Sequence, residues 1–319
     1  MASSPKKNAQ TGQLTLETHG VRSVMDHVKA VCGGFHTTGP GTGLFKCGGR
    51  RVHTDLESRE CLTMAVPLKA KRPAEPWPDL EVLRGLHATP GAWKVLDRGD
   101  KRVLAMEAWT GKPFDAAGLL QFVEATLPEA YGAANGAPRA TKETGPVADE
   151  GLRTEVDAQL HAATQGLPVT LRADERGWFT SYNTHRFLHK LEFELETAGA
   201  APRVRITLPC ESFPLRGDGP ARAIRAFLFE ANARWRYVRV ALESVPREAG
   251  LKSVRPVVET ALPVNALAPR RLSAVLSALV AAAESTRAEA VALSGTALSS
   301  VYLAVRGAAA DAASARQPA

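Results

Sequence analysis

The chain has 319 residues, 45% of them hydrophobic and 23% charged, with a formal net charge of +7. That length is of the order of two domains and that balance is ordinary for a globular protein, so collagen-like, coiled-coil and disulfide-dense classes are excluded. The positive charge permits an anionic partner without demanding one.

Residues 1–13 are small and polar and read as a disordered tail; no apolar run follows Lys6 and Lys7, so a signal peptide is not expected and the cytoplasm is the expected compartment. The first half, 14–132, opens with a helical stripe of Val21, Val24, Met25, Val28, Val31 and Cys32, stopped by Gly33 and Gly34. "GGFHTTGPGTGLFKCGG", Gly33 to Gly49, then reads as a helix stop, a loop and a strand start. Alternating runs in "LFKCGGRRVHTDL" and "ECLTMAVPL" predict strands. "PWPDLEVLRGLHA" predicts a helix burying Leu80, Leu83 and Leu86. "AWKVLDRGDKRVLAMEAW" predicts a hairpin turning at Arg98-Gly99-Asp100. The half closes on a helix with Leu119, Leu120, Phe122, Val123 and Leu127 inward. Residues 133–149, mixed in Gly, Ala, Pro and charge, read as a linker.

The second half, 150–288, repeats that order. Leu152, Val156, Leu160 and Ala163 form the opening helical stripe and Gly166 ends it. Strands are predicted in "GWFTSY", "FLHKLEFELE" and "RVRITLPC", with Leu191, Phe193 and Leu195 on one face. A helix follows through Ile224, Phe227, Leu228 and Ala231, with Pro220 in its first turn and Asp218 as its cap. A hairpin turning at Pro246 to Gly250 leads to a last helix that places Leu272, Val275, Leu276, Leu279 and Val280 inward. Beyond it, 289–319 read as an extra helix and a disordered tail. Ala290 to Val305 carries no charge over sixteen residues, short of the roughly 20 that a membrane span needs, so it reads as an amphipathic helix packed on the body. The fold class is therefore α+β: two tandem domains, each helix–strands–helix–hairpin–helix, with helices covering an antiparallel sheet.

Chemical motifs are few. A Walker loop needs Lys-Ser or Lys-Thr after its glycines, but Leu44-Phe45-Lys46-Cys47 follows Gly43. A dinucleotide fingerprint needs a strand before the glycines and a helix after them, and the order here is reversed. The four cysteines, Cys32, Cys47, Cys61 and Cys210, stand far apart without a CxxC pair and read as reduced, packed thiols. His185 and His189 lie in a predicted strand about 13 Å apart, too far to share one zinc, and read as surface or half-buried. Cys210 ends a strand with no assigned base, and Glu192, Glu194 and Glu196 alternate with apolar residues as on the wet face of a sheet. No catalytic constellation, cofactor site or metal site is read.

Arginine and aromatics interleave between residues 222 and 239. Arg222, Arg225, Phe229, Arg234, Trp235, Arg236 and Arg239 are the partner-binding candidates, since this mixture suits protein interfaces and also phosphate and base contacts. A bland alternative makes the aromatics core and the arginines a solvated face.

The stretches "GPARAIRAFLFEANA", "RYVRVALES", "RPVVETALPV" and "APRRLSAVLSALVAAAES", with their counterparts "DLEVLRGLHA", "AWKVLD", "RVLAMEAW" and "AAGLLQFVEATL", resemble the type III secretion chaperone-like superfamily, including its YbjN-type members. The resemblance covers most of 14–132 and 150–288. It implies a helix layer on a twisted antiparallel sheet, no catalysis, and a chaperone or adaptor that binds an extended segment of a client protein. Two copies in one chain then imply an intrachain pseudo-dimer. This chain differs from the secretion chaperones in being twice as long and basic where they are acidic. A protein-binding module is thus the leading expectation, and a nucleic-acid or polyanion binder using residues 222–239 is the alternative.

Overall fold

The computed structural model describes residues 24–58, 60–69, 74–98, 101–111, 114–137, 150–184, 187–197, 202–243 and 253–314. The tail 1–13, Val21, His185, the tips of both predicted hairpin turns and linker residues 138–149 lie outside them.

The first half starts with helix α1, residues 24–31, which buries Val24, Met25 and Val28 but leaves Val31 exposed. A four-stranded meander follows: β1 (His36–Gly39), β2 (Thr42–Cys47), β3 (Arg50–Ser58) and β4 (Cys61–Pro67). The glycine-rich stretch is therefore a hairpin and not a loop. Two of its glycines have identifiable jobs. Gly48 and Gly49 both have positive φ and form the two-residue turn that sets Cys47 opposite Arg50, a turn geometry closed to most side chains. A Cβ on Gly43 would stand 2.1 Å from Cζ of Phe35, whose buried ring lies across the β2 backbone. The expected loop was misplaced because glycine there serves turns and close approach, not flexibility.

Helix α2 (Trp77–His87) comes next, then the hairpin β5 (Lys94–Arg98) and β6 (Lys101–Trp109), then α3 (Ala116–Ala134). Asp115 caps α3 by accepting a hydrogen bond from the Gly118 amide at 2.8 Å. Leu119, Phe122, Val123 and Leu127 face inward as their spacing predicts, with Leu120 half-buried. The sheet order is β1-β2-β3-β4-β6-β5, antiparallel throughout.

The second half builds the same sheet again. Helix α4 (Glu150–Thr164) precedes the meander β7 (Arg172–Ala173), β8 (Trp178–Asn183), β9 (Leu188–Glu196) and β10 (Arg203–Pro209). The short β11 (Phe213–Pro214) continues the line of β10 along the last strand. Helix α5 (Asp218–Arg234), the hairpin β12 (Arg239–Glu243) and β13 (Ser253–Pro263), and helix α6 (Pro269–Ser294) complete it. Strand order again runs through the meander to the second hairpin strand and ends on the first: β7-β8-β9-β10-β13-β12. Each meander has four strands where two or three were expected; β1 and β7 were missed because they are only four and two residues long.

Three boundaries need correction. Asp218 does not cap α5, which starts from Gly217 without a side-chain cap; its carboxylate instead accepts a hydrogen bond from Trp77 Nε1 of α2 at 3.0 Å. The last helix of the second half does not end near residue 288 but runs unbroken to Ser294. The chain then turns by 107° at Gly295 into α7 (Thr296–Ser314), so the region read as a disordered tail is helical to Ser314. No single described helix is long and apolar enough to cross a membrane.

The halves are not two separate beads. Helix α2 packs against β12 of the other sheet and α5 against β5, so each half places a helix on its partner's inner strand. Buried side chains of both halves accordingly form one continuous apolar cluster, from Val24 and Met64 through Leu83 and Phe227 to Val240 and Leu279. The two tandem halves are thus joined through exchanged helices.

Candidate functional site

The most concentrated chemistry lies where the halves meet. Arg239, the first residue of β12, stands directly opposite Glu259 on β13 and donates from Nε to its carboxylate at 2.8 Å. The same guanidinium donates through Nη1 to the Trp93 carbonyl of the first half at 3.0 Å. Arg205 of β10 pairs with Glu196 of β9, with Nε donating at 2.6 Å, and its terminal nitrogens donate to the carbonyls of His87 and Thr89 at 2.8 and 2.7 Å. Glu196 Oε2 in turn accepts from the Gly91 amide at 2.9 Å. Two arginines and two glutamates from the second half thus grip the loop that follows α2.

The reverse grip is present on the other side. Lys94, the first residue of β5, pairs with Glu107 at 2.9 Å and donates to the carbonyl of Trp235, just after α5, at 2.8 Å. Glu107 also accepts a hydrogen bond from the Tyr237 amide. Gly91 and Tyr237 occupy matching places: each has positive φ and each offers its amide to a carboxylate of the opposite half. For tyrosine that backbone conformation is uncommon, and the amide contact together with ring contact to Trp109, 4.9 Å between centroids, holds it there. A third buried set lies between α2 and α5: Asp79 takes Arg102 at 2.9 Å and approaches Arg225 at 3.7 Å.

Burial raises the cost of every charge in this layer, and opposite charge must offset it. For Glu259, burial pushes the carboxyl pKa up, but Arg239, the His87 hydrogen bond and Arg205 outweigh it and hold the group at about 2. Burial pushes the Lys94 ammonium down, with Glu107 opposing.

The seven partner-binding candidates are divided by this arrangement. Arg239 and Phe229 are buried, at 1% and 4% exposure, and so do not lie on a surface. Arg102 of the first half stacks over the Phe229 ring at 5.0 Å. Arg225 faces Asp79 and also donates to the Glu75 carbonyl; Arg236 reaches across to Glu57 at 3.3 Å; Trp235 is half-buried and gives its carbonyl to Lys94. Arg234 is exposed beside Glu230 and Glu289, and Arg222 is exposed. Much of the cluster is therefore turned toward the N-terminal half of its own chain. Sequence reasoning missed the other side of the contact, Asp79, Lys94 and Glu107, and also Glu196 and Arg205, which hold the first half from the second. One signal was available: Arg203 and Arg205 alternate along β10 opposite Glu196 and Glu194 on β9, so one sheet face carries complementary charge.

The remaining candidates separate. His189 is buried, contrary to the surface reading, and meets Glu284 of α6 at 3.3 Å, the same carboxylate that accepts from Thr184 at 2.6 Å. Its neighbour His185 lies outside the described residues. Cys210 is buried against the Ala283 carbonyl at 3.9 Å, and burial, opposed in part by Arg287, pushes its thiol up to about 12, the opposite of nucleophile activation. Glu192 and Glu194 are on the exposed face as expected, whereas Glu196, on that same face, is buried because the first half covers it. Among the described residues no three of His, Cys, Asp and Glu come together in a way that could hold a metal ion. No family model and no curated protein matches the chain.

Proposed function

We propose that the protein is a non-enzymatic binding module, a chaperone-like adaptor whose two halves form an intrachain pseudo-dimer that holds an extended segment of a partner protein. The observation that carries this reading is the asymmetry between inner and outer sheet edges. The inner strands β5 and β12 are each covered by the other half's helix, while the outer strands β1 and β7 lie exposed at matching ends of the two sheets. An uncovered edge offers a row of backbone donors and acceptors, and an added strand satisfies them with little demand on partner sequence. The resemblance to secretion chaperones points the same way. The alternative, a polyanion surface at 222–239, is less favoured because Arg239 is buried and Arg225, Arg234 and Arg236 already face carboxylates.

Affinity capture from native lysate at physiological salt tests the reading, with Thr37→Pro in β1 and Ala173→Pro in β7 as edge-blocking variants. The expected result is a retained partner that is lost, or markedly reduced, in the proline variants. A partner held equally by both variants argues against strand addition, and nucleic acid as the retained species argues for the alternative.

A further inference from the structure

A cavity of about 340 Å³ opens between the halves. The first half contributes Trp109 from the end of β6 and Phe114, Asp115, Ala117, Gly118, Leu119 and Gln121 from the start of α3. The second contributes Leu152, Glu155 and Gln159 of α4, Arg203 of β10, and the turn from Pro263 to Ala266. Its lining is mostly apolar with a few convergent polar groups, the usual constitution of a small-ligand site.

Arg203 distinguishes it from an ordinary crevice. The residue is only 4% exposed, its guanidinium lies 3.9 Å over the Phe122 ring, and its buried Nε has no hydrogen-bond partner among the described residues. Its cross-strand neighbour Glu196 is taken by Arg205 and Gly91, and Asp115 is taken by the α3 amide of Gly118. A buried cation whose nearest acids are already engaged elsewhere is costly, and an unsatisfied buried polar group calls for an explanation. Burial holds its pKa down at about 10, with Glu196 and Asp115 pulling only partly the other way, so the charge is present at neutral pH yet under-compensated. The N-terminus of the 19-residue α3 lines the same cavity and adds positive potential.

We propose that this cavity binds a single carboxylate carried on an apolar body, with Arg203 as its counter-ion and Trp109, Phe114, Leu119 and Leu152 around the apolar part. The carboxylate chemistry follows from the planar, bidentate donor that arginine presents. Asp115 and Glu155 also line the cavity and leave Arg203 as the one cation among its described lining residues, so phosphates and polyanions are disfavoured more strongly than a single carboxylate. At about 340 Å³ the cavity falls in the size range of small-ligand sites, with room for one side chain and its carboxylate. A polypeptide chain end and a small carboxylic acid both carry that chemistry. The site does not depend on strand addition at β1 or β7.

Titration calorimetry on the full chain tests it with three probes: N-acetyl-leucine, a pentapeptide ending in a free leucine carboxylate, and the same peptide amidated. At least one free acid should bind, and the amide should bind about tenfold more weakly or worse. N-acetyl-leucine binding as tightly as the peptide assigns the site to small acids; a tighter peptide assigns it to chain ends. Arg203→Met keeps the volume and removes the cation, and Gln121→Glu adds a third acid to the lining at an exposed position. Each should lower free-acid affinity by about tenfold. Equal binding of acid and amide, no binding of either acid at millimolar concentration, or wild-type affinity in Gln121→Glu overturns the proposal.

Discussion

Replacing Glu259 by glutamine removes one negative charge from an interior that also holds Arg205, Arg239 and Glu196. Glu259 is 1% exposed and serves Arg239 at 2.8 Å, His87 at 3.3 Å and Arg205 at 3.6 Å, so its loss leaves one buried positive charge uncompensated. Removing one partner of a buried pair typically costs about 3–5 kcal/mol. Linkage gives an independent figure. The carboxyl is held at about 2 against its ordinary 4.5, a gap worth about 3 kcal/mol. Because the folded value is the lower one, this stability is complete above pH 4.5, is lost progressively as pH falls below that value, and is gone once pH has passed through 2. Urea unfolding of wild type and Glu259→Gln at pH 7 and at pH 3 measures both effects. The variant should lose about 3 kcal/mol at pH 7, and the difference should narrow at pH 3, where the unfolded wild-type chain has taken up the proton that the folded carboxylate still refuses. The double variant Arg239→Met/Glu259→Leu should recover part of the loss, since an apolar pair removes the stranded charge along with its partner. A loss below about 1 kcal/mol at pH 7, or a difference that does not change with pH, refutes the reasoning.

Gly43→Ala should destabilise the first half by about 1–3 kcal/mol because the new methyl collides with the Phe35 ring; thermal melts should show a smaller cost in a Phe35→Leu background. Cys32, the one partly exposed cysteine, should react first with a disulfide reagent at pH 8, and Cys210 should remain protected until unfolding; peptide mapping that finds Cys210 labelled first contradicts its burial.

Much of the local structure was legible because amphipathic spacing carries it. The inward faces of α3 and α6, the alternation of β3 and β9, and the repeated order of elements all follow from apolar periodicity. What could not be read is what one half does to the other. Glu196 has the spacing of a wet sheet face, and only the arrival of the His87–Trp93 loop makes it interior. Arg239 and Phe229 look like an interaction surface, and in composition they are one; the sequence carries no sign that the surface they meet lies 127 to 146 residues upstream in the same chain, at Arg102 and Trp93. The edge strands β1 and β7 are too short to impose a period, and the break at Gly295 depends on packing of α7 against α5, a tertiary choice.

Two like halves each complete the other with a helix and a charged clamp. Introducing a protease site into the segment 138–149, cleaving it under native conditions and weighing the product by light scattering tests this directly. The halves should remain together as a one-to-one complex with the mass of the intact chain, and should separate only under denaturing conditions. Two folded halves that elute independently after cleavage would contradict it.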